Sequence, residues 1–432
     1  MKKIRGLRIP HSKNTAGCVP EMIPVPPEVR IPLKMHGGTT TKPVVNVGDV
    51  VKVGQLIGEA DGKVSSPVHS SVSGTVKSII DVDSAMGHRA LSVVITSDGE
   101  QSLYEGLAPH PVTNLTEFLD AVQNSGAVGL GGAGYPTAPK LTMKESVKLD
   151  YLLINGAECE PYITSDTRTM IDDAEYVVEG AKLMKEYIKP KNLLICIEEN
   201  KPEPIKIMQT LTAGLDGIDV RVLPSRYPQG ERKVLVYNVT NRIVPEGGRL
   251  TDVGCTVINC ATVAVFAKYI KTGLPLVTRI VTVDGSAVNT PMNVIAPIGS
   301  PIGALFDYCG GLKENFKKIL VGGPMMGIAV PDLDMPVVKI TNALLALTEK
   351  EAKQPPPTAC IKCGRCISKC PMHLMPSNIE NAYELKSIQL LRKYKVNLCA
   401  ECGCCAYLCP SKRPLAHVME TSMKMLREAR KQ

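Results

Sequence analysis

Between residues 42 and 80, apolar and polar positions alternate in short runs broken by Gly, Pro and Ser, which predicts brief half-buried strands. The spacing changes at Leu115–Asn124, where apolar residues recur at helical intervals and predict an amphipathic helix. A continuous apolar run at 151–154 and shorter ones at 279–283 and 319–321, set among Gly and Pro turns, predict further strands. Near the end, 381–393 is long enough to predict a connecting helix. The longest uncharged stretch, 285–306, contains Pro291, Pro297, Pro301, two Asn and two Ser, so it does not predict a membrane span. Residues 1–5 have no apolar core behind them of the kind a signal peptide needs. The expectation is a soluble chain of the reducing compartment, touching a membrane only through a partner.

At 432 residues, the chain has room for several domains of roughly 100–200 residues each. It is 44% hydrophobic and 21% charged, with a net charge of +8. With four Phe, thirteen Tyr and no Trp, it is poorly equipped to stack the bases of a single-stranded nucleic acid. No nucleic-acid partner is expected, although the charge leaves an acidic partner open.

Fifteen cysteines in a chain without an export signal point to metal or redox chemistry rather than a disulfide framework. Six are scattered (Cys18, Cys159, Cys196, Cys255, Cys260, Cys309), and nine lie from Cys360 to Cys409. Cys360, Cys363, Cys366 and Cys370-Pro371 form one run; Cys399, Cys402, Cys405 and Cys409-Pro410 repeat its spacing. Paired runs of this type hold two [4Fe–4S] clusters, the fourth Cys of each run ligating the other cluster. The sets are then Cys360, Cys363, Cys366 with Cys409, and Cys399, Cys402, Cys405 with Cys370. Zinc is the alternative that paired C-x-x-C motifs allow, though it seldom uses four Cys per run. Cys404 is off register and reads as a neighbour of the second set.

The densest glycine run includes Gly129, Gly131, Gly132 and Gly134 and leads to Lys140. Without Cβ atoms, its backbone amides could approach a phosphate closely, and Lys140 could add charge. It is neither a Rossmann fingerprint nor a Walker A loop, and a tight turn is the plain alternative. Beyond the 151–154 strand lies Asn155-Gly156-Ala157-Glu158-Cys159-Glu160, at the position where open α/β sheets place ligand groups. Carboxylates there suit ribose hydroxyls or a flavin edge; a solvated acidic turn is the alternative.

Together, the glycine run, the 155–162 segment and the cysteine-rich tail resemble the RnfC family of the Rnf electron-transport complex. The first two also resemble the NADH- and FMN-binding subunit of respiratory complex I. The resemblance implies non-covalent FMN, NADH as substrate and two [4Fe–4S] clusters. It places Gly129, Gly131, Gly132, Gly134 and Lys140 at phosphates, and Asn155, Glu158, Glu160, Glu231, Asn259 and Thr262 around flavin and dinucleotide. It implies partnership with the other subunits of a membrane-bound complex, including an iron–sulfur subunit and ferredoxin, on the cytoplasmic face. One departure bears on the donor. Where such proteins usually read Gly-Gly-Glu-Lys, this chain reads Gly230-Glu231-Arg232-Lys233, exchanging a carboxylate for a cation. Two other readings stay open: a reductase of the same build serving cobalamin or an amino-acid reductase, and a conduit that does not bind NADH.

The expected fold class is multidomain α/β. Residues 1–110 form a β-rich, biotinyl/lipoyl-like barrel-sandwich hybrid, in which Lys63 is an ordinary exposed lysine. Residues 111–272 form a Rossmann-like FMN/NADH domain, and 273–335 a β-grasp domain whose Gly322–Gly327 turn reads as packing. Residues 336–432 form a linker, stiffened at 354–357 by three prolines, and a helical two-cluster ferredoxin-like domain. His69, His88 and His110 have no metal-ligand spacing. From Pro356 onward, thirteen Lys and Arg face five Glu, so the whole net charge of +8 lies in the cysteine-rich tail. It reads as counter-charge to clusters that each carry about −2 when oxidised.

Overall fold

The structure is a computed structural model that describes residues 6–84, 87–144 and 146–429. The alternating region forms two small antiparallel sheets. One orders Glu28–Pro32, His88–Ser97, Gly74–Ser84 and Val50–Val51; the other orders Lys42–Pro43, Leu56–Glu59 and Val68–His69. Val29, Ile31, Val51, Ile57, Val76 and Val93 close the space between them. Gly74 permits the tightest approach: with φ +152°, a Cβ there would stand 2.0 Å from the Thr96 carbonyl.

The second unit is a four-stranded parallel sheet ordered Ile218–Leu223, Asn192–Glu198, Tyr151–Gly156, Cys255–Asn259. Three of its strands are buried on both faces, which explains their near-continuous apolar runs, while the edge strand Ile218–Leu223 is partly exposed. Leu152, Ile154 and Ile195 meet helices Leu115–Asn124, Ala174–Tyr187 and Cys260–Thr272, while Leu153, Leu194 and Val257 meet helix Arg232–Thr240. The Leu115–Asn124 helix has the expected bounds, and Asn114 caps it by accepting from the Glu117 amide at 3.0 Å.

The third unit departs from the expected boundaries. A six-stranded sheet runs Glu21–Met22, Met292–Pro297, Thr278–Asp284, Ala343–Thr348, Phe316–Val321, Ile328–Val330. Ala343–Thr348 lies in the middle of this sheet, not in a linker beginning at 336. Ala343, Leu344, Leu345 and Ala346 are all buried, so no alternation marked the strand in sequence. The start of the chain is also displaced: Leu7 pairs with Tyr227 of the parallel-sheet unit, and Glu21–Met22 joins this third sheet. Residues 6–22 therefore stand outside the barrel.

The tail is helical. Pro376–Glu384, Ile388–Lys393 and Leu415–Glu428 enclose Ile379, Leu391, Val396 and Met423. The expected single helix over 381–393 is broken at Lys386, with φ +51°, and Ser387 restarts it by capping Leu390 N at 3.3 Å. The break lets each short helix turn its own apolar face to the core. No helix among the described residues is long and apolar enough to cross a membrane.

Candidate functional site

Strands Tyr151–Gly156 and Cys255–Asn259 end side by side, with Asn155 in register with Asn259. The glycine run folds across these ends as a closed loop: Gly134 N donates to Gly129 O and Gly129 N to Tyr135 O, both at 2.9 Å. Thr262 pins the loop to the first turn of helix Cys260–Thr272. Its hydroxyl accepts from Leu130 N at 3.0 Å and donates to Val128 O at 2.9 Å. Asn259 caps the same helix by accepting from Ala261 N and Thr262 N, and donates to Asp166 Oδ2 at 2.6 Å. A Cβ at Gly131 would stand 3.0 Å from Asn259 Nδ2, so glycine is what lets the loop lie on the asparagine. The loop's crest, at Gly131 and Gly132, is exposed. Lys140 stands at the loop's far end, its pKa drawn down to about 8 by burial and by the Arg232 cation.

The acidic segment reaches this place but spends its carboxylates on the protein. Glu158 Oε1 accepts from Asp166 N at 2.6 Å and Thr167 N at 3.3 Å, and Oε2 accepts from the Thr167 hydroxyl at 2.5 Å, fixing the start of helix Ser165–Asp172. Glu231 caps helix Arg232–Thr240 by accepting from Lys233 N and Val234 N, both at 2.8 Å. Asn155 donates to Gly230 O at 3.0 Å and accepts from Ala157 N at 3.1 Å. Asp166, which the sequence did not mark, is a buried acid between Asn259 and Glu158; burial first, then the Glu158 charge, pushes its pKa up.

Glu160 faces the six-stranded unit. Tyr227 Oη donates to its Oε1 at 3.3 Å and Met325 N to its Oε2 at 3.1 Å. A Cβ at Gly323 would stand 2.3 Å from Oε2, so the Gly322–Gly327 turn serves close packing, as its sequence predicted. Burial raises Glu160 from 4.5 to about 7. Between those values the folded chain keeps a proton that the unfolded chain has lost, so this group's contribution to stability declines as pH rises through that window. Glu160→Gln is expected to gain on the parent by up to about 3 kcal/mol between pH 5 and 7.5, read from urea midpoints at both values.

The cysteine runs fold twice in the same way. Lys362 and Glu401 have φ of +54° and +53°, Gly364 and Gly403 share φ +71°, and each glycine opens a four-residue helix, Arg365–Ser368 or Cys404–Tyr407. The turns aim amides at sulfur: Glu401 N donates to Cys399 Sγ at 3.3 Å and Leu374 N to Cys370 Sγ at 3.4 Å. One cavity is lined by Cys370, Cys399, Cys402 and Cys405, the set expected from spacing, with Cys404 beside them. For the other set, Thr358 N donates to Ser411 O and Ser411 Oγ to Ala359 O, both at 2.9 Å, which lays the Cys360 stretch along the segment following Cys409. None of these cysteines is disulfide-bonded. Among the described residues no three His, Cys, Asp or Glu side chains converge as one metal ion would require. Four thiols around a cavity, with amides directed at two of the sulfurs, form a donor set that fits a cluster.

The two cysteine sets differ in exposure and surroundings. Cys402 and Cys404 share a small core with Leu7, Ile9 and Tyr227, and Cys159 and Met325 pack against it. Cys360 and Cys363 are exposed, and Ile361 between them is 66% exposed. Cys159 and Cys260 have their pKa values raised by burial, as suits small apolar residues rather than redox groups.

The units match known families. Residues 2–100 match the RnfC barrel sandwich hybrid domain, 122–268 the Nuo51 FMN-binding domain, and 280–329 the SLBB domain. The C subunit of the proton-translocating ferredoxin:NAD(+) oxidoreductase complex of Clostridium ljungdahlii is 38% identical over 84% of this chain and 80% of its own length. The C subunit of the Na(+)-translocating complex of Acetobacterium woodii is 40% identical over 87% of this chain and 85% of its own. A solved NAD+-reducing [NiFe]-hydrogenase chain is a looser match, 15% identical with a TM-score of 0.49 over 73% of this chain and 61% of that one. The chain belongs to the RnfC family, the C subunits of ion-translocating ferredoxin:NAD+ oxidoreductase (Rnf) complexes.

Proposed function

We propose that this oxidoreductase subunit is the electron-input component of a membrane-bound, ion-translocating ferredoxin:NAD oxidoreductase, carrying FMN and two [4Fe–4S] clusters. It works peripherally on the cytoplasmic side, with other subunits of the complex as partners. When bound, FMN supplies the conversion between the electron pair of NADH and the single electrons that iron–sulfur centres carry. The chain's own part is placement. The loop closed by Gly129 and Gly134 presents its exposed crest at Gly131 and Gly132, and Lys140 a cation, to phosphate, with Asn259 and Thr262 holding the loop in shape. Asn155, Glu158, Glu160 and Glu231 form the surrounding frame through the bonds they make to neighbouring elements. The ferredoxin-like tail is read as holding one cluster on Cys370, Cys399, Cys402 and Cys405, next to the flavin domain. The other, on Cys360, Cys363, Cys366 and Cys409, faces outward toward an acceptor.

The observation that carries this reading is the buried core that Cys402 shares with Tyr227 and Ile9 at the edge of the site. The test is anaerobic addition of NADH to the iron- and FMN-reconstituted chain. Bleaching of flavin absorbance followed by loss of cluster absorbance is expected. The alternative reading is a conduit that does not bind NADH. Flavin that is bound but unbleached by NADH would decide for it.

A further inference from the structure

The residues preceding the barrel form part of the wall of the cofactor site. Leu7 exchanges backbone hydrogen bonds with Tyr227 at 2.8 and 2.9 Å, and His11 O accepts from Tyr162 N at 2.9 Å. Thr15 and Thr164 hydroxyls meet at 2.6 Å, and Ala16 O accepts from Arg168 Nη1 at 3.3 Å. In the middle, the Lys13 ammonium donates to Glu158 O and Glu160 O, both at 2.8 Å, and to Ile163 O. All three of its N–H groups thus go to one short stretch of backbone, and the Glu158 carboxylate lies 3.8 Å away. The lysine side chain is only 15% exposed and the glutamate 3%.

That stretch needs support. Glu158 and Tyr162 have φ of +46° and +69°, a left-handed conformation that carries a cost in residues other than glycine. Such residues persist where their surroundings over-determine them. Lys201 also donates to Ala157 O at 2.6 Å and pairs with Glu198 at 3.1 Å. Both lysines donate to backbone carbonyls of the segment, and of the two only Lys13 comes from outside the flavin-binding unit.

We propose that Lys13 is a positioning residue of the cofactor site: it holds segment 157–164, with the Glu158 helix cap and the Glu160 contact, in the shape on which flavin binding depends. The proposal rests on the flavin reading above. It assigns the arm of residues 6–18 to the site rather than to the barrel domain. Burial lowers the pKa of Lys13 while the Glu158 charge opposes that shift, consistent with an ammonium held for its bonds.

The test uses the full chain, with FMN itself as the probe. In Lys13→Met, amide hydrogen exchange over 157–164, measured without flavin, is expected to accelerate about tenfold or more, while strand Asn192–Glu198 keeps its protection. The Kd for FMN, from fluorescence quenching, is expected to rise about tenfold. Lys13→Arg, which keeps the charge, is expected to recover most of that affinity. Unchanged exchange over 157–164 with unchanged FMN affinity overturns the proposal. So does acceleration that extends equally to Asn192–Glu198, which would make Lys13 an ordinary stability residue. If the parent chain binds no FMN, the flavin reading falls, and exchange over 157–164 still decides whether Lys13 holds the segment.

Discussion

A Cys402→Ala chain will bind about four irons where the parent binds about eight, and NADH will not reduce the iron that remains, although dithionite will. Cys360→Ala will also hold about four irons, but NADH will reduce them. The difference follows from the surroundings of the two sets. Cys402 is packed with Tyr227, Ile9 and Cys404 against the flavin-binding unit, whereas Cys360 and Cys363 lie at the surface. Loss of the inner set should strand the outer one, and loss of the outer set should leave the inner one within reach of the flavin. Metal analysis with electron paramagnetic resonance after each reductant reads both outcomes. Reduction by NADH in Cys402→Ala but not in Cys360→Ala would reverse the order, and zinc in place of iron would remove the cluster reading.

Lys339→Met should lower stability by about 3 kcal/mol. The Lys339 side chain is fully buried, and its ammonium donates to Ser66 Oγ at 3.2 Å, Pro67 O at 2.6 Å and Gly126 O at 2.8 Å. The acceptors belong to the barrel and to the turn just ahead of the glycine run, so one lysine ties three units together. Methionine fills similar volume but leaves two buried carbonyls without their donor, each costing about 1–3 kcal/mol. Urea midpoints compare the two chains, and a difference below about 0.5 kcal/mol, the range of ordinary surface changes, would refute this role.

These lysines show where sequence reading stops. The cysteine pattern was legible because its spacing repeats, and Cys370 lines one cavity with Cys399, Cys402 and Cys405. Helix Leu115–Asn124 was legible from its one apolar face and its cap. Strand Ala343–Thr348 was not, because burial on both faces erases the period that separates strand from linker. Lys13 and Lys339 look like any surface lysine, since their acceptors lie far along the chain and no local pattern encodes them. Glu158 was found at the correct strand end, but its use as a helix cap depends on Thr167, whose approach only the fold decides.

The Gly322–Gly327 turn has a meaning beyond packing. Met325 donates its amide to Glu160, and its carbonyl would stand 2.7 Å from a Cβ at Gly403 in the second cysteine run. The turn is therefore a gauge block between the parallel-sheet unit and the cysteine-rich tail, with glycine at the contact on either side of it. Electron tunnelling falls off exponentially with separation, so its thickness sets a rate. Seen this way, the six-stranded unit sets the gap that electrons would cross on the path proposed above.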